Sequence, residues 1–242
     1  MTELTPLLLL PGLMNDDRVW APVVAALSTE RHVHIAPTHL HASVEESARA
    51  AILSMPTGRF AVAGFSLGGY VALQICRQTP ERIAGIGLVS TGARADTDDA
   101  KQSRQRMVEA MGSGTATLEQ IAISFADRVI HPSRLEDKKL LALLADMASA
   151  VGSDGFARQQ HAAMNRAESL ELLPTLKVPA LVLCGHEDKV TPLALSVEMA
   201  SLLPNAELVT VEKSGHMVTL ERPDDVVAAV LRWLERMETA AV

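Results

Sequence analysis

The chain has 242 residues, of which 48% are hydrophobic and 21% are charged, and its formal net charge at pH 7 is −7. This composition can bury a substantial core within one domain and excludes extensive disorder. The negative charge and the lack of a Lys/Arg cluster argue against a nucleic-acid-binding protein, because such proteins need a basic surface to neutralise phosphates.

Residues 5–10 form the first apolar run, which ends abruptly at Pro11 and Gly12. The run is too short to span a membrane, and Glu3 stands where a signal peptide would carry basic residues. We therefore expect a cytoplasmic protein without a membrane partner.

Short apolar runs alternate along the chain with stretches in which apolar residues recur three and four positions apart. The runs are typical of strands buried on both faces, and the stretches of amphipathic helices. Because helices separate consecutive strands, we expect a mostly parallel sheet. The predicted strands cover residues 5–10, 32–36, 60–64, 83–89, 180–184 and 207–211. Predicted helices cover residues 19–27, 44–53, 67–79, 192–202 and 224–238.

The third run leads into Gly64, Ser66 and Gly68 and then into a predicted helix. Gly-x-Ser-x-Gly at a strand-to-helix turn is the nucleophile-elbow pattern, in which the glycines let the helix approach the strand closely. The amide of Leu67 would then face the position where an oxyanion develops during acyl transfer. The alternative is a serine that only caps the helix.

Residues 94–172 differ from the rest, since strand-like runs are missing and four helical stretches follow one another. We interpret this segment as a helical cap inserted into a core formed by residues 1–93 and 173–242. Such a cap would exclude water and shape a substrate pocket, although its helices could equally form an ordinary packed subdomain. The predicted cap helices cover residues 97–111, 117–130, 136–151 and 154–167.

An acid and a histidine each follow a later apolar run. Asp188 lies in the loop after residues 180–184, and His216 lies in the loop after residues 207–211. The order Ser66, Asp188, His216 is the one expected for a hydrolase triad on an open parallel sheet. An imidazole can take the serine proton near neutral pH, and a carboxylate can orient that imidazole.

Two other acids compete with Asp188. Glu187 is its neighbour, but the Gly-x-x-Asp spacing followed by Thr191 and Pro192 favours Asp188. Asp96 follows the fourth predicted strand, and we interpret it with the residues after it as helix-capping chemistry at the start of the cap.

These motifs resemble the α/β-hydrolase superfamily over nearly the whole chain, and within it the small bacterial carboxylesterases and enol-lactonase-like hydrolases. The resemblance also rests on residues 10–15, Leu-Pro-Gly-Leu-Met-Asn. It implies an α/β-hydrolase fold with about six strands and an inserted helical cap, and no N-terminal hairpin because few residues precede the first strand. It further implies that Leu13 supplies the second oxyanion amide, in a loop where Pro11 replaces the usual histidine.

The resemblance and the triad order lead us to expect a serine hydrolase that cleaves small to medium carboxylic esters or lactones through an acyl-enzyme, without a cofactor. The expected partner is a small molecule rather than nucleic acid or membrane, and the expected state is a monomer or homodimer. A C–C bond hydrolase or lyase on the same triad, or a non-catalytic ligand receptor on the same fold, stays open.

Apolar and basic side chains are candidates for substrate contacts. Six side chains could form an adaptable apolar pocket, although methionines at helical spacing are also typical of an ordinary core. They are Met14, Tyr70, Met107, Met111, Phe125 and Met147. Four arginines of the predicted cap could bind a substrate carboxylate. They are Arg128, Arg134, Arg158 and Arg166.

The other histidines and the cysteines do not indicate a metal site. Four clustered histidines lack a Cys, Asp or Glu at ligand spacing, so we expect no metal there. They are His32, His34, His39 and His41. Cys76 and Cys184 lie in a predicted helix and a predicted buried strand, which favours two free thiols.

Overall fold

A parallel β-sheet forms the centre of the protein. The computed structural model describes residues 4–27, 29, 31–114 and 117–240. Across the sheet the strands follow the order β2-β1-β3-β4-β5-β6, and each neighbouring pair is parallel. The strands are β1 (Leu7–Leu10), β2 (Val33–Ile35), β3 (Phe60–Phe65), β4 (Ile83–Val89), β5 (Ala180–Gly185) and β6 (Ala206–Val211). The predicted strands and the predicted fold class are confirmed.

Helices connect the strands and cover both faces of the sheet. In chain order they are α1 (Ala21–Ala26), α2 (Val44–Ser54), α3 (Leu67–Gln78), α4 (Asp98–Gly112), α5 (Leu118–Ser124), α6 (Ala126–Val129), α7 (Lys138–Met164), α8 (Leu193–Leu202), α9 (Val218–Glu221) and α10 (Pro223–Ala240). Side-chain caps fix several starts. Ser43 accepts the N–H of Glu46 at α2, and Thr97 accepts the N–H of Ala100 at α4, which satisfies donors that the first helical turn leaves free.

Alternate residues of each strand face the two helical layers. Leu7 and Leu9 are completely buried in the layer that contains Trp233 of α10. Leu8 and Leu10 are buried in the opposite layer, with side chains of α2, α3 and α8. Because both faces are covered, the four central strands are continuous buried apolar runs, and this is why the sequence predicts them.

Two predicted helices differ from the structure in their boundaries. The predicted helix 19–27 is a 3-10 turn at Asp17–Trp20 followed by α1. The predicted helix 117–130 is divided at Phe125 into α5 and α6. In both cases the apolar spacing is correct but the helical hydrogen bonding is interrupted, which spacing alone does not reveal.

Helices α4 to α7 lie between β4 and β5 in the chain and are called the inserted helices below. Helix α7 packs against α4 and α5, and Phe156 of α7 clusters with Leu118 and Ala122 of α5. Gly152, with φ of 72°, breaks α7 between the two helices that the sequence predicts there. By length and composition α7 could cross a membrane, but it is interrupted at Gly152 and packs against α4 and α5.

Candidate active site

The three predicted triad side chains meet at the carboxyl edge of the sheet. Ser66 follows β3, Asp188 follows β5 and His216 follows β6. Nε2 of His216 lies 2.9 Å from Oγ of Ser66, and its Nδ1 lies 2.8 Å from Oδ2 of Asp188. Hydroxyl, imidazole and carboxylate therefore form one hydrogen-bonded row, through which the imidazole can take the serine proton.

A strained turn presents Ser66 to the cavity. Its φ of 53° lies in the left-handed region that residues with a side chain rarely adopt. A Cβ on Gly64 would lie 2.1 Å from the carbonyl oxygen of Gly68, and a Cβ on Gly68 would lie 2.2 Å from that of Leu10. Glycine at both positions thus lets α3 start directly behind the serine, where the helix dipole favours negative charge.

Hydrogen bonds hold Asp188 in its ionised form. Oδ1 accepts the N–H groups of Val190 and Thr191 at 2.8 and 2.9 Å, and Oδ2 accepts the Thr191 hydroxyl at 2.7 Å. Burial alone would raise the pKa of Asp188, but the facing His216 and these hydrogen bonds together lower it. An ionised Asp188 can fix the tautomer of His216 and stabilise an imidazolium.

Two glutamates hold the backbone of the histidine loop. Glu187 accepts the N–H of Ser214 at 3.0 Å, and Glu221 accepts the N–H of Gly215, just before the triad histidine, at 2.8 Å. Glu221 also accepts the N–H of His131, which follows α6, at 2.7 Å. Burial raises the pKa of Glu221 more than these hydrogen bonds lower it. Glu187, the neighbouring rival acid, contacts the loop backbone instead of the imidazole.

Two backbone amides next to Ser66 are available as oxyanion donors. The N–H of Leu67 is the first of α3, and the N–H of Leu13 lies in the loop after β1. Neither donates a hydrogen bond to another described residue, and both residues line the cavity. These are the two predicted donors, and their catalytic role stays a prediction.

Gln159 of α7 contacts this oxyanion loop, and the sequence does not predict it. Its Oε1 accepts the N–H of Met14 at 3.0 Å, and its Nε2 donates to the carbonyl of Gly12 at 3.2 Å. The side chain is completely buried. The sequence offers one sign of this contact, a glutamine on the apolar side of a predicted helix. That sign does not show which loop the side chain contacts.

A cavity of about 440 Å³ lies in front of the triad. Ser66 and His216 form its reacting end, and side chains of α4, α5 and α7 form the opposite wall. Four predicted substrate contacts line it, namely Met14, Tyr70, Met107 and Phe125. Met147 is instead buried in the main core and Met111 packs against the Phe156 cluster. Helical spacing does not distinguish the cavity side from the core side of a helix.

The cavity wall carries more positive than negative charge. Three arginines line it, Arg104, Arg128 and Arg166, against one carboxylate, Asp96. Asp96 lies 2.6 Å from Nε of Arg104 and 2.5 Å from Nη1 of Arg166. The guanidinium of Arg128 lies 5.7 Å from the ring of Phe125 and forms no ion pair with a described acid. The wall can therefore attract an anionic group of a ligand.

Two of the four predicted arginines lie elsewhere. Arg134 pairs with Asp137 at 2.6 Å, and Arg158 donates to the carbonyl of His39 at 2.8 Å. The helix-capping chemistry predicted for residues 96–99 is present, with Thr97 as the N-cap of α4 and Asp98 and Asp99 in its first turn, but Asp96 itself pairs with Arg104 and Arg166 instead. An ion pair with a residue distant in sequence, such as that of Asp96 with Arg166, leaves no local pattern.

Side chains that could share a metal are few in the part of the chain that the structure describes. One group there brings its ligand atoms within 4.8 Å of one another, and it consists of His186, Glu187 and Glu212 near the surface. The four clustered histidines do not belong to it. Cys76 and Cys184 are buried and unpaired, which confirms the two free thiols, and burial raises the pKa of Cys76 to about 12.

Comparisons with known proteins find hydrolases that are similar to this chain over most of its length. Among curated sequences, "Putative carbamate hydrolase RutD" of Pseudomonas savastanoi pv. phaseolicola (strain 1448A / Race 6) is 28% identical over 236 residues, 90% of this chain and 89% of that protein. A solved thermophilic esterase from Thermogutta terrifontis (malate bound) aligns with a TM-score of 0.84 and 27% identity, over 96% of this chain and 90% of that one.

The enol-lactonase from Burkholderia xenovorans LB400 has the same fold. It aligns with a TM-score of 0.83 and 24% identity, over 96% of this chain and 92% of that one. The family model described as "Alpha/beta hydrolase family" matches residues 7–230, which include the elbow, the acid loop and the histidine loop. The chain belongs to the alpha/beta hydrolase family.

Proposed function

We propose that this hydrolase cleaves small to medium carboxylic esters or lactones through an acyl-enzyme on Ser66. The observation that carries the proposal is the row of Ser66, His216 and Asp188, with separations of 2.9 and 2.8 Å at the reacting end of the cavity. A helix-capping serine would need neither partner, and Ser66 makes no side-chain hydrogen bond to its own helix.

In the first half of the proposed reaction, Nε2 of His216 takes the hydroxyl proton as Oγ of Ser66 attacks the carbonyl carbon. The carbonyl oxygen becomes an oxyanion, and the amides of Leu67 and Leu13 donate to it. The intermediate collapses when the C–O bond to the leaving group breaks and His216 returns the proton to the departing alkoxide. Asp188 orients the imidazole and stays ionised throughout.

The second half repeats these roles with water. His216 takes a proton from a water molecule, whose oxygen attacks the ester carbonyl formed on Ser66. Collapse of this second intermediate breaks the bond to Oγ and returns the proton to the serine. One difficult displacement is thereby replaced by two easier ones.

The cavity supports a small or medium substrate. Its volume of about 440 Å³ lies within the usual range of small-molecule sites, and most of its wall is apolar. Met107 and Phe125 face it from the inserted helices and can adapt to different acyl chains. Arg104 and Arg166 share the single carboxylate of Asp96, so one positive charge remains uncompensated there. This charge and that of Arg128 favour substrates that carry an anionic group away from the scissile bond.

The test measures ester turnover together with labelling of Ser66. We expect hydrolysis of p-nitrophenyl acetate to octanoate and of small lactones, and stoichiometric labelling by a fluorophosphonate at Ser66 by peptide mass mapping. Ser66→Ala is the control for both readouts. Cleavage of a vinylogous diketone without ester turnover would instead favour the C–C hydrolase, and ligand binding without any turnover would favour the receptor.

A carbamate belongs in the same substrate panel. The relative that is 28% identical over 90% of this chain carries carbamate hydrolase in its name. A carbamate has a carbonyl bonded to oxygen, as an ester has, but its nitrogen makes that carbonyl less reactive toward a nucleophile. The proposal is that esters and lactones are turned over faster than carbamates. A reversed order of kcat/KM would make carbamate hydrolysis the better assignment.

A further inference from the structure

The loop that holds Leu13 needs a brace. Met14 has φ of 58°, a left-handed conformation that a residue with a side chain keeps only when its surroundings impose it. Pro11, at the start of this loop, has no N–H and no polar side chain with which to fix it. Within the loop the N–H of Asn15 donates to the carbonyl of Gly12 at 3.2 Å, and the other hydrogen bonds that fix the loop come from elsewhere in the chain.

Gln159 of the inserted helices supplies several of these hydrogen bonds. Oε1 of Gln159 accepts the N–H of Met14 at 3.0 Å, and Nε2 donates to the carbonyl of Gly12 at 3.2 Å and to the hydroxyl of Thr38 at 3.0 Å. The Thr38 hydroxyl in turn donates to the carbonyl of Pro11 at 3.2 Å. One buried amide thus contacts the residues on both sides of Leu13.

We propose that Gln159 is a positioning residue of the oxyanion hole, which holds the amide of Leu13 toward the carbonyl of the substrate. This inference rests on the proposed function, since it needs an oxyanion to form beside Ser66. Gln159 does not touch the reacting atoms. Gln159 acts through the loop that holds Leu13. The inserted helices, which carry Gln159, therefore contribute to the chemical step as well as to the wall of the pocket.

The chain offers a matched control in the next residue. Gln160 is also completely buried on α7, but its amide accepts from Arg104 at 2.9 Å and lies 3.9 Å from the sulfur of Met107, away from the oxyanion loop. Replacing either glutamine removes a buried amide from the same helix. Only replacement of Gln159 should alter the position of Leu13.

The experiment compares Gln159→Met with Gln160→Met by steady-state kinetics on one p-nitrophenyl ester and by inhibition with an alkyl trifluoromethyl ketone. The ketone adds to the serine and places an oxyanion in the hole. For Gln159→Met we expect kcat to fall about 10- to 100-fold with KM changed less than about 3-fold, because a donor is misplaced and not deleted. The inhibition constant of the ketone should rise by the same factor as kcat falls.

The control variant separates positioning from folding. Both variants should lower the melting temperature by similar amounts, whereas Gln160→Met should change KM through Arg104 and should lower kcat and ketone affinity far less than Gln159→Met does. Gln159→Glu provides a rescue readout. Its carboxylate keeps the acceptor and loses the donors, so its kcat relative to wild type should increase as the pH falls and the carboxyl gains a proton.

Two results would overturn the inference. If Gln159→Met has a lower melting temperature than the wild type but the same kcat and the same affinity for the ketone, the glutamine has only a structural role. If the wild-type enzyme turns over no ester and is not inhibited by the ketone, the proposed function fails and the inference fails with it. The first result leaves acylation of Ser66 intact, so the two failures are distinguishable.

Discussion

The loops at the carboxyl edge of the sheet and the inserted helices build one cavity in different ways. The loops supply Ser66, Asp188 and His216, whose places follow from strand ends and tight turns. The inserted helices supply Arg104, which lines the cavity, and Gln159, which contacts the loop that holds Leu13. On the proposed function, the loops of the sheet would carry out the chemistry, and the inserted helices would select the substrate and brace the oxyanion loop.

The largest expected effect lies on the sheet side. Asp188→Asn should lower kcat on the order of 10⁴-fold, because an amide cannot hold the required tautomer of His216 or stabilise its charged form. Steady-state kinetics at neutral pH measure the loss. Glu187→Gln, which changes the neighbouring acid, should lower kcat far less. An equal fall in kcat in the two variants would contradict the assignment of Asp188 as the triad acid.

A substitution in the elbow tests whether the strained turn depends on glycine. Gly64→Ala should destabilise the protein by about 3 kcal/mol or more, because the new Cβ would lie 2.1 Å from the Gly68 carbonyl oxygen and backbone atoms would have to move. Urea unfolding measures the loss. The contrast comes from α4, where Gly112→Ala places a Cβ with no atom within 4 Å, and this variant should be unchanged or slightly more stable.

The inserted helices should affect selectivity more than chemistry. Arg128→Gln should reduce the preference for an ester with a remote carboxylate over its neutral analogue about fivefold, since an exposed guanidinium contributes little more than this. The measurement compares kcat/KM for the methyl monoester of a dicarboxylic acid and for an uncharged methyl ester of equal length. A loss for both substrates alike would place Arg128 in the chemical step and break the division between the two regions.

The smallest expected effect concerns Glu221, which links the two regions. Its pKa is raised above the ordinary 4.5 by burial, so the folded state holds the proton more tightly than the unfolded state. The contribution of this proton to the free energy of unfolding is fully present below pH 4.5, and it is lost as the pH rises through the pKa that Glu221 has in the folded state. In Glu221→Gln this decline should disappear, as urea unfolding from pH 4 to 7 can test. An unchanged pH dependence would contradict the shift.

The sequence predicts the sheet and the triad for the same physical reason. Strands buried on both faces must be apolar throughout, and the elbow needs glycine at Gly64 and Gly68, so both leave patterns in a few consecutive residues. The order of Ser66, Asp188 and His216 then follows from strand ends that meet at one edge. These features depend on backbone geometry, which tolerates few residue types.

The contribution of the inserted helices is harder to predict. Met107 and Met147 both fit the spacing of an amphipathic helix, yet the first lines the cavity and the second is buried in the core. Asp96 and Gln159 gain their roles from contacts with distant segments, and neither leaves a local pattern. The spacing of apolar residues predicts which side of a helix is apolar, but it does not predict which neighbouring element that side packs against.

The central claim is that Ser66 carries the acyl group during turnover. Rapid quenching of the enzyme with a slowly hydrolysed ester, followed by intact-mass measurement and peptide mapping, tests it directly. We predict one acyl group per chain, located on the peptide that contains Ser66, formed and lost at rates consistent with kcat and absent in Ser66→Ala. Turnover without an acylated Ser66, or an acyl group that forms elsewhere at a competent rate, would contradict the account.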